Sequence, residues 1–330
     1  MAREAIDHRA LEALEALPRL ELNHCPTPVE RMPRLRAALG GGPSLLVKRD
    51  DAISFGFGGN KVRKLELVVA QARARGADTL ITTGGVQSNH ARATAAVAAR
   101  LGLRCVIVAN GQPPEKLTGN ALLDALLGAE VDYVATREER TPRMQAIAAD
   151  LAARGRRAWL IPLGASTPLG ALGIARGVGE MVRQGVRPDV IVHATSSGGT
   201  QAGLLAGCVL HGLPTRVLGV SADDPAATVV ATVRRILAGM QEHLPVDGEA
   251  LAAARPIEVE DGLVGEGYGV PSDASREAQQ LAARLEAVLV DHTYTAKALA
   301  GLIAGVRSGR FRRNGTVLFW HTGGQVGLFA

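Results

Sequence analysis

Short, almost purely apolar runs alternate with helical patterns along most of this 330-residue chain. A run such as Val190-Ile191-Val192 has no polar face, which predicts a strand buried on both sides of its sheet. Such strands, each followed by a helix, predict an α/β fold with open parallel sheets and crossover helices. The expected strands are 45–49, 79–84, 104–109, 130–134, 158–163, 189–194, 216–221 and 316–321. The expected helices are 4–18, 62–75, 88–101, 119–127, 141–154, 170–184, 201–211, 224–243, 272–288 and 295–307.

The length of the chain favours two domains, each with its own sheet. Residues 62–166 contain strand–helix units in direct succession and are expected to form the small domain. The large domain would combine residues 1–61 with residues 167–330. A chain that leaves one domain, builds a second and returns places a cleft between them. Ligands bind in such clefts, at the carboxyl ends of parallel strands.

Composition and charge argue against several classes of protein. The net charge of +5 is dispersed without a basic tract, so binding to nucleic acid is not expected. The three cysteines have no disulfide or metal-ligand spacing, so no metal is expected. No signal peptide and no apolar stretch of membrane-spanning length is recognisable. A soluble, cytoplasmic protein without membrane contact is therefore expected.

The residues from Gly56 to Lys64 form a glycine-rich junction between an expected strand and an expected helix. Three glycines allow positive φ angles and a close approach to a ligand. Lys61 follows Gly58-Gly59-Asn60 and stands near two other cations without an adjacent carboxylate. Such a lysine can lose its proton and act as an amine nucleophile in Schiff-base chemistry. The alternative is a flexible loop that leads into a solvated basic helix.

Three further polar junctions fall at the ends of expected strands. They are Gln87-Ser88-Asn89-His90, Thr195-Ser196-Ser197-Gly198-Gly199-Thr200 and His321-Thr322-Gly323-Gly324. Hydroxyls and glycines before a helix suit a phosphate, because free N–H groups and the helix dipole point towards it. None of the junctions is a GxxxxGK[ST] or GxGxxG nucleotide motif. Taken singly, each could be an ordinary helix cap or turn.

Tyr268 and Tyr294 also lie outside the expected helices, Tyr268 in a glycine-rich loop and Tyr294 just before a helix. A phenol in a loop can donate a proton or clamp a substrate. Alternatively, each ring anchors its loop on the core. The two tyrosines are therefore candidates for the same cleft.

Together these motifs resemble the D-cysteine desulfhydrase and 1-aminocyclopropane-1-carboxylate (ACC) deaminase family of pyridoxal-phosphate enzymes, fold type II. The similarity runs from Thr27-Pro28 to the final Gly323-Gly324, which is most of the chain. It implies two tryptophan synthase β-like domains with pyridoxal 5'-phosphate between them, a small amino acid as substrate, and a homodimer. The strings that carry it are Lys48-Arg49-Asp50-Asp51, Gly58-Gly59-Asn60-Lys61, Arg63-Lys64-Leu65-Glu66 and Gln87-Ser88-Asn89-His90.

The resemblance implies which residues bind the cofactor. Lys61 would carry it as a Schiff base, and Lys64 would contact its phosphate. Asn89 would hydrogen-bond its phenolic oxygen, and Thr322 would meet its ring nitrogen. The remaining phosphate ligands would be Ser197, Gly198, Gly199 and Thr200.

The resemblance also implies the residues that act on the substrate. Ser88 would lie near the substrate carboxylate or move a proton, and the two tyrosines would flank the substrate. Which of Lys61, Ser88 and Tyr294 moves each proton stays open. The implied catalytic residues are Lys61, Ser88, Tyr268 and Tyr294. The implied substrate-binding residues are Ser88, Asn89, His90, Tyr268 and Tyr294.

Two positions separate the activities within this family. ACC deaminases have Glu after the second tyrosine and Leu before the final glycines. This chain has Thr295 and Thr322 there, a pattern similar to the D-cysteine desulfhydrases. A carboxylate at the ring nitrogen keeps that nitrogen protonated and the ring a strong electron sink, whereas a hydroxyl leaves the nitrogen nearer neutral. β-Elimination needs less of that sink, because the leaving group takes the electrons. The expected reaction therefore converts D-cysteine to pyruvate, sulfide and ammonia.

Other activities stay open. Phe57 and His292 depart from the family pattern on the expected substrate side. A cysteate sulfo-lyase would need additional cationic donors for the sulfonate, and His292 is the candidate. ACC deaminase is a second alternative. A small-molecule-binding protein that keeps the fold without turnover is a third.

Overall fold

Ten strands occur in the computed structural model, which describes residues 6–330. They alternate with helices, as the apolar pattern predicts. The strands are β1 (Val29–Arg31), β2 (Ser44–Arg49), β3 (Thr79–Gly85), β4 (Arg104–Asn110), β5 (Glu130–Val134), β6 (Ala158–Leu160), β7 (Val190–Thr195), β8 (Arg216–Ser221), β9 (Glu258–Glu260) and β10 (Thr316–His321).

Twelve α-helices flank the strands in the same residues. None of the helices described is both long and apolar enough to cross a membrane. The helices are α1 (His8–Ala16), α2 (Pro33–Ala38), α3 (Lys61–Ala74), α4 (Asn89–Leu101), α5 (Gly119–Leu126), α6 (Arg140–Ala153), α7 (Pro168–Arg183), α8 (Gly199–Leu210), α9 (Ala226–Ala238), α10 (Gly248–Ala253), α11 (Asp273–Glu286) and α12 (Thr295–Arg307).

The strands form two sheets. The larger sheet has the order β1-β2-β10-β7-β8-β9, and the smaller has the order β5-β4-β3-β6. Neighbouring strands are parallel, except that β1 pairs antiparallel with β2 at an edge. The chain leaves the larger sheet after β2, forms the smaller one and returns. This confirms the α/β fold with two parallel-sheet units.

The boundaries of the two domains, after residues 61 and 166, stay a prediction. The helix α3 contacts both α4, which packs on the smaller sheet, and α7, which belongs to the core of the larger sheet. Residues 1–5 of the predicted large domain lie outside the described residues.

The helices and strands depart from their predicted bounds at a few places. The elements β1, β9, α2 and α10 are only three to six residues long, too short for a recognisable period. The strand predicted at 158–163 ends at Leu160, just before Pro162, which has no N–H for a ladder. The α-helix predicted at 224–243 ends at Ala238 and continues as a 3-10 helix. The helix predicted at 4–18 begins at His8, and its residues 4 and 5 lie outside the described part.

Glycines allow the helices around the larger sheet to pack closely. At Gly173 of α7 an added Cβ would lie 2.1 Å from the carbonyl oxygen of Arg63 in α3. At Gly203 of α8 an added Cβ would lie 2.2 Å from the carbonyl oxygen of Ala171 in α7. The helix α7 therefore fixes α3, which begins at Lys61, against the larger sheet.

Four charged side chains form a buried ion network next to α3. The Arg63 guanidinium donates to Asp50 Oδ1 at 2.8 Å and to Glu180 Oε2 at 2.9 Å. Lys48 Nζ lies 2.5 Å from Glu180 Oε1. Burial by itself raises the pKa of Glu180, but Arg63 and Lys48 outweigh it and lower that pKa to about 2. Two cationic and two anionic side chains thus neutralise one another in the solvent-excluded interior.

The buried ion network joins segments that are distant in the sequence. Thr27 N donates to Glu180 Oε1 at 2.6 Å, and Trp320 Nε1 donates to Asp50 Oδ2 at 2.8 Å. The carbonyl oxygen of Asp50 accepts from Gly59 N at 3.0 Å. The network therefore connects the N-terminal segment, α7 and β10 to the loop that precedes Lys61.

Removing one charge from the network should destabilise the protein strongly, because its partners would remain as buried, uncompensated charges. We expect Glu180→Gln to lower the free energy of unfolding, measured by urea denaturation at neutral pH, by about 3–5 kcal/mol. The loss should shrink as the pH falls from 4.5 towards about 2, because the carboxyl of the unmodified protein is then protonated too.

The matched control is Glu277→Gln, which removes an exposed ion pair with Arg307. That variant should lose less than about 1 kcal/mol. Equal losses in the two variants would show that the network does not hold the fold together.

Candidate active site

A cavity of about 400 Å³ lies where strands of both sheets end. Its wall contains the residues that end or follow β3, β4, β5, β7, β8 and β10, at their carboxyl ends, where open α/β sheets bind ligands. Ten of the residues predicted for the site line it: Lys61, Ser88, Asn89, His90, Ser197, Gly198, Thr200, Tyr268, Tyr294 and Thr322.

Lys61 lies in the cavity wall as the first residue of α3. Its amine donates to Asn60 Oδ1 at 3.3 Å. Burial, and then the positive charge of Arg92, lower the pKa of Lys61 to about 8. A much larger fraction of this amine than of an ordinary lysine is therefore unprotonated near neutral pH, as a nucleophile or a base must be.

Backbone contacts hold the loop before Lys61 against the end of β10. Asn60 N donates to the carbonyl oxygen of Thr322 at 3.0 Å. Gly59 has a φ of 94°, and an added Cβ there would lie 3.0 Å from the same oxygen. At Gly323 an added Cβ would lie 2.7 Å from Gly59 Cα. The two glycines let the segments touch, which places Lys61 beside Thr322.

Arg92 of α4 holds the same loop from the smaller sheet. Its guanidinium donates to the carbonyl oxygens of Gly56 and Gly58, the latter at 3.1 Å. Arg92 is 1% exposed. The carboxyl group of Asp124 acts on the charge of Arg92. Burial raises the pKa of Asp124 to about 7. The positive charge of Arg92 is thus only weakly compensated and acts on the amine of Lys61.

The segment from Ser88 to His90 begins α4. Ser88 is the N-cap, and its hydroxyl accepts from Ala91 N at 3.2 Å, so a capping role and a place in the cavity wall coexist. Asn120 orients Asn89 by donating to Asn89 Oδ1 at 3.0 Å. His90 Nε2 lies 2.8 Å from Thr82 Oγ1, and burial lowers the pKa of His90 well below its usual value. His90 is therefore neutral.

The turn between β7 and α8 presents donors to the cavity. The N–H groups of Ser197, Gly198 and Thr200 have no acceptor among residues 6–330, and Gly198 has a φ of 76°. The hydroxyl of Thr195 is buried and likewise has no partner in the described part of the chain. Buried donors of this kind call for a polar ligand. The Thr200 hydroxyl is already used, because it accepts from Asn60 Nδ2 at 2.8 Å.

Lys64 and Gly199 are absent from the cavity wall that the described residues form. Lys64 Nζ lies behind the turn and donates to Gly164 O at 3.2 Å and to Ser166 Oγ at 3.3 Å. Gly199 N donates to the same Ser166 hydroxyl. Burial, and then Lys61, lower the pKa of Lys64 well below its usual value. Both residues support the turn from behind.

The two tyrosines share one hydrogen bond. Their hydroxyls are in direct contact, and their rings pack edge to face with centroids 5.7 Å apart. The guanidinium of Arg137 lies 5.5 Å from the centroid of the Tyr268 ring. Burial is the first cause that raises the pKa of both phenols, and Tyr294 is raised well above its usual value. Both are therefore protonated donors near neutral pH.

Three residues to which the sequence drew attention lie away from the cavity. Thr295 is fully buried, and its hydroxyl donates to Asp291 Oδ1 at 2.6 Å. His292, the expected cationic donor for a sulfonate, is not part of the wall, and neither is Phe57. Of the two threonines that distinguish the activities, only Thr322 reaches the cavity.

The wall contains a charged group that motif reasoning missed. These residues lie in the loops after β5 and β8 and at the start of α6, none of which carries a glycine-rich string. The signal available was position alone, since these residues follow predicted parallel strands. The residues are Arg137, Glu138, Arg140, Asp223 and Asp224, with Asn110 at the end of β4.

A family model described as "Pyridoxal-phosphate dependent enzyme" matches residues 20–323, and the chain belongs to this family. Pyridoxal phosphate is the cofactor that gives the family its name. The match confirms the expected cofactor and enzyme class.

The chain is also similar to individual proteins of known name. It is 42% identical to the D-cysteine desulfhydrase of Salmonella typhi, over 97% of this chain and 98% of the relative. It is 41% identical to that of Salmonella choleraesuis (strain SC-B67), with the same coverage. The solved structure of an ACC deaminase homologue has a TM-score of 0.89 and 34% identity, over 98% of this chain and 96% of that one. These matches confirm the resemblance that the motifs predict.

Arg92 should set the reactivity of Lys61. In the cofactor-free protein, we expect the rate at which an amine-acylating reagent labels Lys61 to rise with a midpoint near pH 8. Arg92→Gln should move that midpoint upwards, because a positive charge near an ammonium favours deprotonation. Peptide mass spectrometry measures the labelling.

Arg100→Gln is the matched control, since Arg100 lies exposed near the other end of α4. Its midpoint should equal that of the unmodified protein. A midpoint near the ordinary value of 10.5 in the unmodified protein would contradict a perturbed amine.

Proposed function

We propose that this protein is a pyridoxal-phosphate-dependent lyase that converts D-cysteine to pyruvate, sulfide and ammonia by β-elimination. The similarity to D-cysteine desulfhydrases over nearly the full length of both chains carries this proposal. The cavity, with its amine of low pKa and its unpaired donors, supports it independently.

The donors of the cavity suit the cofactor. The Lys61 amine would bind it covalently. The unpaired N–H groups of Ser197, Gly198 and Thr200, at the N-terminus of α8, suit the phosphate. Asn89, oriented by Asn120, suits the phenolic oxygen. Lys64 and Gly199 would not contact the phosphate from the cavity wall. Both donate to the Ser166 hydroxyl and would instead support the turn that binds the phosphate.

Pyridoxal phosphate, when bound, supplies an electron sink that makes the α-proton of an amino acid acidic. Lys61 would accept that proton, because its pKa of about 8 suits a base near neutral pH. Ser88 and the protonated pair Tyr268 and Tyr294 are the alternative groups in the same wall. The tyrosines are the better donors to a departing thiolate, since both phenols keep their protons near neutral pH.

Thr322 favours elimination over ring opening. Thr322 follows β10 and lines the cavity beside Lys61. The carboxylates of the wall, those of Glu138, Asp223 and Asp224, come from other loops, which follow β5 and β8. A ring nitrogen at Thr322 would meet a hydroxyl rather than a carboxylate. This suits substrates whose β-group departs readily. The 34% identity to an ACC deaminase homologue makes ACC deamination the second candidate.

We also propose a cytoplasmic homodimer with two domains, at the predicted boundaries. The three cysteines are unpaired and Cys25 is exposed, which suits a reducing compartment. The exposed ring of Phe57 lines a groove together with Ile53 and with Val326 of the C-terminal segment, and such apolar surface suits an interface.

Lys61→Ala should lower turnover of D-cysteine by roughly 10²- to 10⁴-fold or more, because it removes the amine that binds the cofactor and accepts the proton. The visible absorbance of the bound cofactor should change at the same time. Lys116→Ala, which changes an exposed lysine outside the cavity, should alter neither. Unchanged turnover in Lys61→Ala would refute the assignment.

A substrate panel tests the reaction. The protein, loaded with pyridoxal phosphate, is incubated separately with D-cysteine, L-cysteine and ACC. Pyruvate, sulfide and 2-oxobutyrate are measured. We expect pyruvate and sulfide in equal amounts from D-cysteine, and very little 2-oxobutyrate from ACC. Strong production of 2-oxobutyrate from ACC without pyruvate from D-cysteine would replace the first candidate by the second.

A further inference from the structure

Lys297 is a buried lysine whose amine binds three backbone carbonyl groups. It is the third residue of α12, and its exposed fraction is 0%. Its Nζ donates to Val264 O at 2.7 Å and to Gly267 O at 2.8 Å. It also donates to Ala222 O at 3.5 Å. An ammonium has three N–H donors and no acceptor, so three carbonyl oxygens match its protonated form.

The carboxylates that act on Lys297 have nearer partners of their own. Burial lowers the pKa of Lys297, and the charges of Asp223 and Asp291 act in the opposite direction. Asp223 Oδ2 lies 2.6 Å from Arg137 Nη1. Asp291 Oδ1 accepts from the N–H of Thr295 at 3.0 Å and from its hydroxyl at 2.6 Å. The ammonium of Lys297 therefore serves the carbonyl groups rather than an ion pair.

These carbonyl groups belong to two loops that form part of the cavity wall. Ala222 directly precedes Asp223, in the loop after β8. Gly267 directly precedes Tyr268, in the loop after β9. Asp223 and Tyr268 line the cavity, whereas Lys297 is not part of the wall that the described residues form. Lys297 thus acts on the site through the two loops and not by contact.

The loop that carries Tyr268, residues 262–271, has little support from its own backbone. Two hydrogen bonds join it to other backbone groups of the described chain, and neither reaches beyond residues 261–270. Three of its glycines have positive φ angles, which leave an unanchored backbone many alternative conformations. Within residues 6–330, Lys297 is the side chain that donates to the carbonyl groups of this loop. Its ammonium is therefore the polar anchor of the loop on α12.

The helix α12 holds both phenols of the cavity. Tyr294 is the N-cap of this helix, three residues before Lys297. Tyr268 reaches it from the anchored loop, where its hydroxyl contacts that of Tyr294 and Arg137 lies 5.5 Å from the centroid of its ring. One phenol is thus held by the start of the helix and the other through the ammonium. Without the ammonium, the second phenol loses its fixed distance from the first.

We propose that Lys297 is a positioning residue, whose ammonium holds the loop of Tyr268 so that the phenol pair can donate a hydrogen bond to the departing sulfur. This inference rests on the proposed β-elimination and adds to it a residue outside the cavity wall. A hydrogen bond to a leaving group matters more when the leaving group is more basic. The loss of Lys297 should therefore affect a departing thiolate more than a departing chloride.

Amide hydrogen exchange tests the anchor without a substrate. Lys297→Met keeps most of the apolar side chain but has no donor. In this variant, loaded with pyridoxal phosphate, we expect exchange in residues 262–271 to become about 10-fold faster or more, because the loop loses two hydrogen bonds to a charged donor. The increase should be larger there than in α8. Peptide mass spectrometry measures both segments.

Turnover tests the consequence of losing the anchor. Pyruvate is measured from D-cysteine and from β-chloro-D-alanine. Lys297→Met should lower kcat for D-cysteine by about 10- to 100-fold, because a donor displaced by about 1 Å stabilises the transition state far less. It should lower kcat for β-chloro-D-alanine less, and the visible absorbance of the bound cofactor should stay unchanged.

Arg307→Gln is the matched control. Arg307 lies at the other end of α12 and pairs with Glu277 on the surface. This variant should change neither the exchange of residues 262–271 nor the ratio of the two kcat values.

The outcomes separate the anchor from the proposed reaction. A partly unfolded variant cannot imitate a changed ratio, since unfolding lowers both kcat values alike. Unchanged exchange of residues 262–271 in Lys297→Met, or an equal fall of kcat for both substrates, overturns the role of Lys297. Absence of pyruvate from D-cysteine with the unmodified protein overturns the proposed function instead, and the exchange measurement then still decides whether Lys297 anchors the loop.

Discussion

The buried ion network of Lys48, Asp50, Arg63 and Glu180 is the interaction on which the rest of the structure depends. Charges without water are tolerated only when each has its partner, so the network accepts a single arrangement of the segments that carry it. Those segments are β2, α3, α7 and the turn after β2. The Asp50 carbonyl also binds Gly59 N, so the same network fixes the loop that ends at Lys61.

The reactivity of the site follows from this placement. Lys61 is held at the junction of the two sheets, within reach of the charge of Arg92, and no carboxylate of residues 6–330 acts on its pKa. The larger sheet adds the donors of the β7 turn and Thr322, whereas the smaller sheet adds Ser88, Asn89 and Arg140. Each sheet alone would hold half of a binding site. The fold thus brings the carboxyl ends of strands from both sheets to one cavity.

The sequence predicted the parts of this arrangement that depend on local pattern. Apolar runs located most strands, and two separate glycine-rich strings located Lys61 and the turn at Ser197. The short strand β1 was missed because three residues carry no period. The contacts of Arg92 and Arg140 could not be predicted, since they depend on which carbonyl and amide oxygens lie within a few ångströms after folding. Thr295 looked equivalent to Thr322 in sequence, but its hydroxyl is used by Asp291.

We propose that one amine, that of Lys61, is the reactive group of the cavity. Borohydride reduction of the protein with its bound cofactor, followed by proteolysis and mass spectrometric sequencing, tests it most directly. Lys61 and Lys64 are three residues apart and both have lowered pKa values, but only Lys61 lies in the cavity wall. We expect the cofactor's mass on Lys61 alone. A label on Lys64 would contradict it.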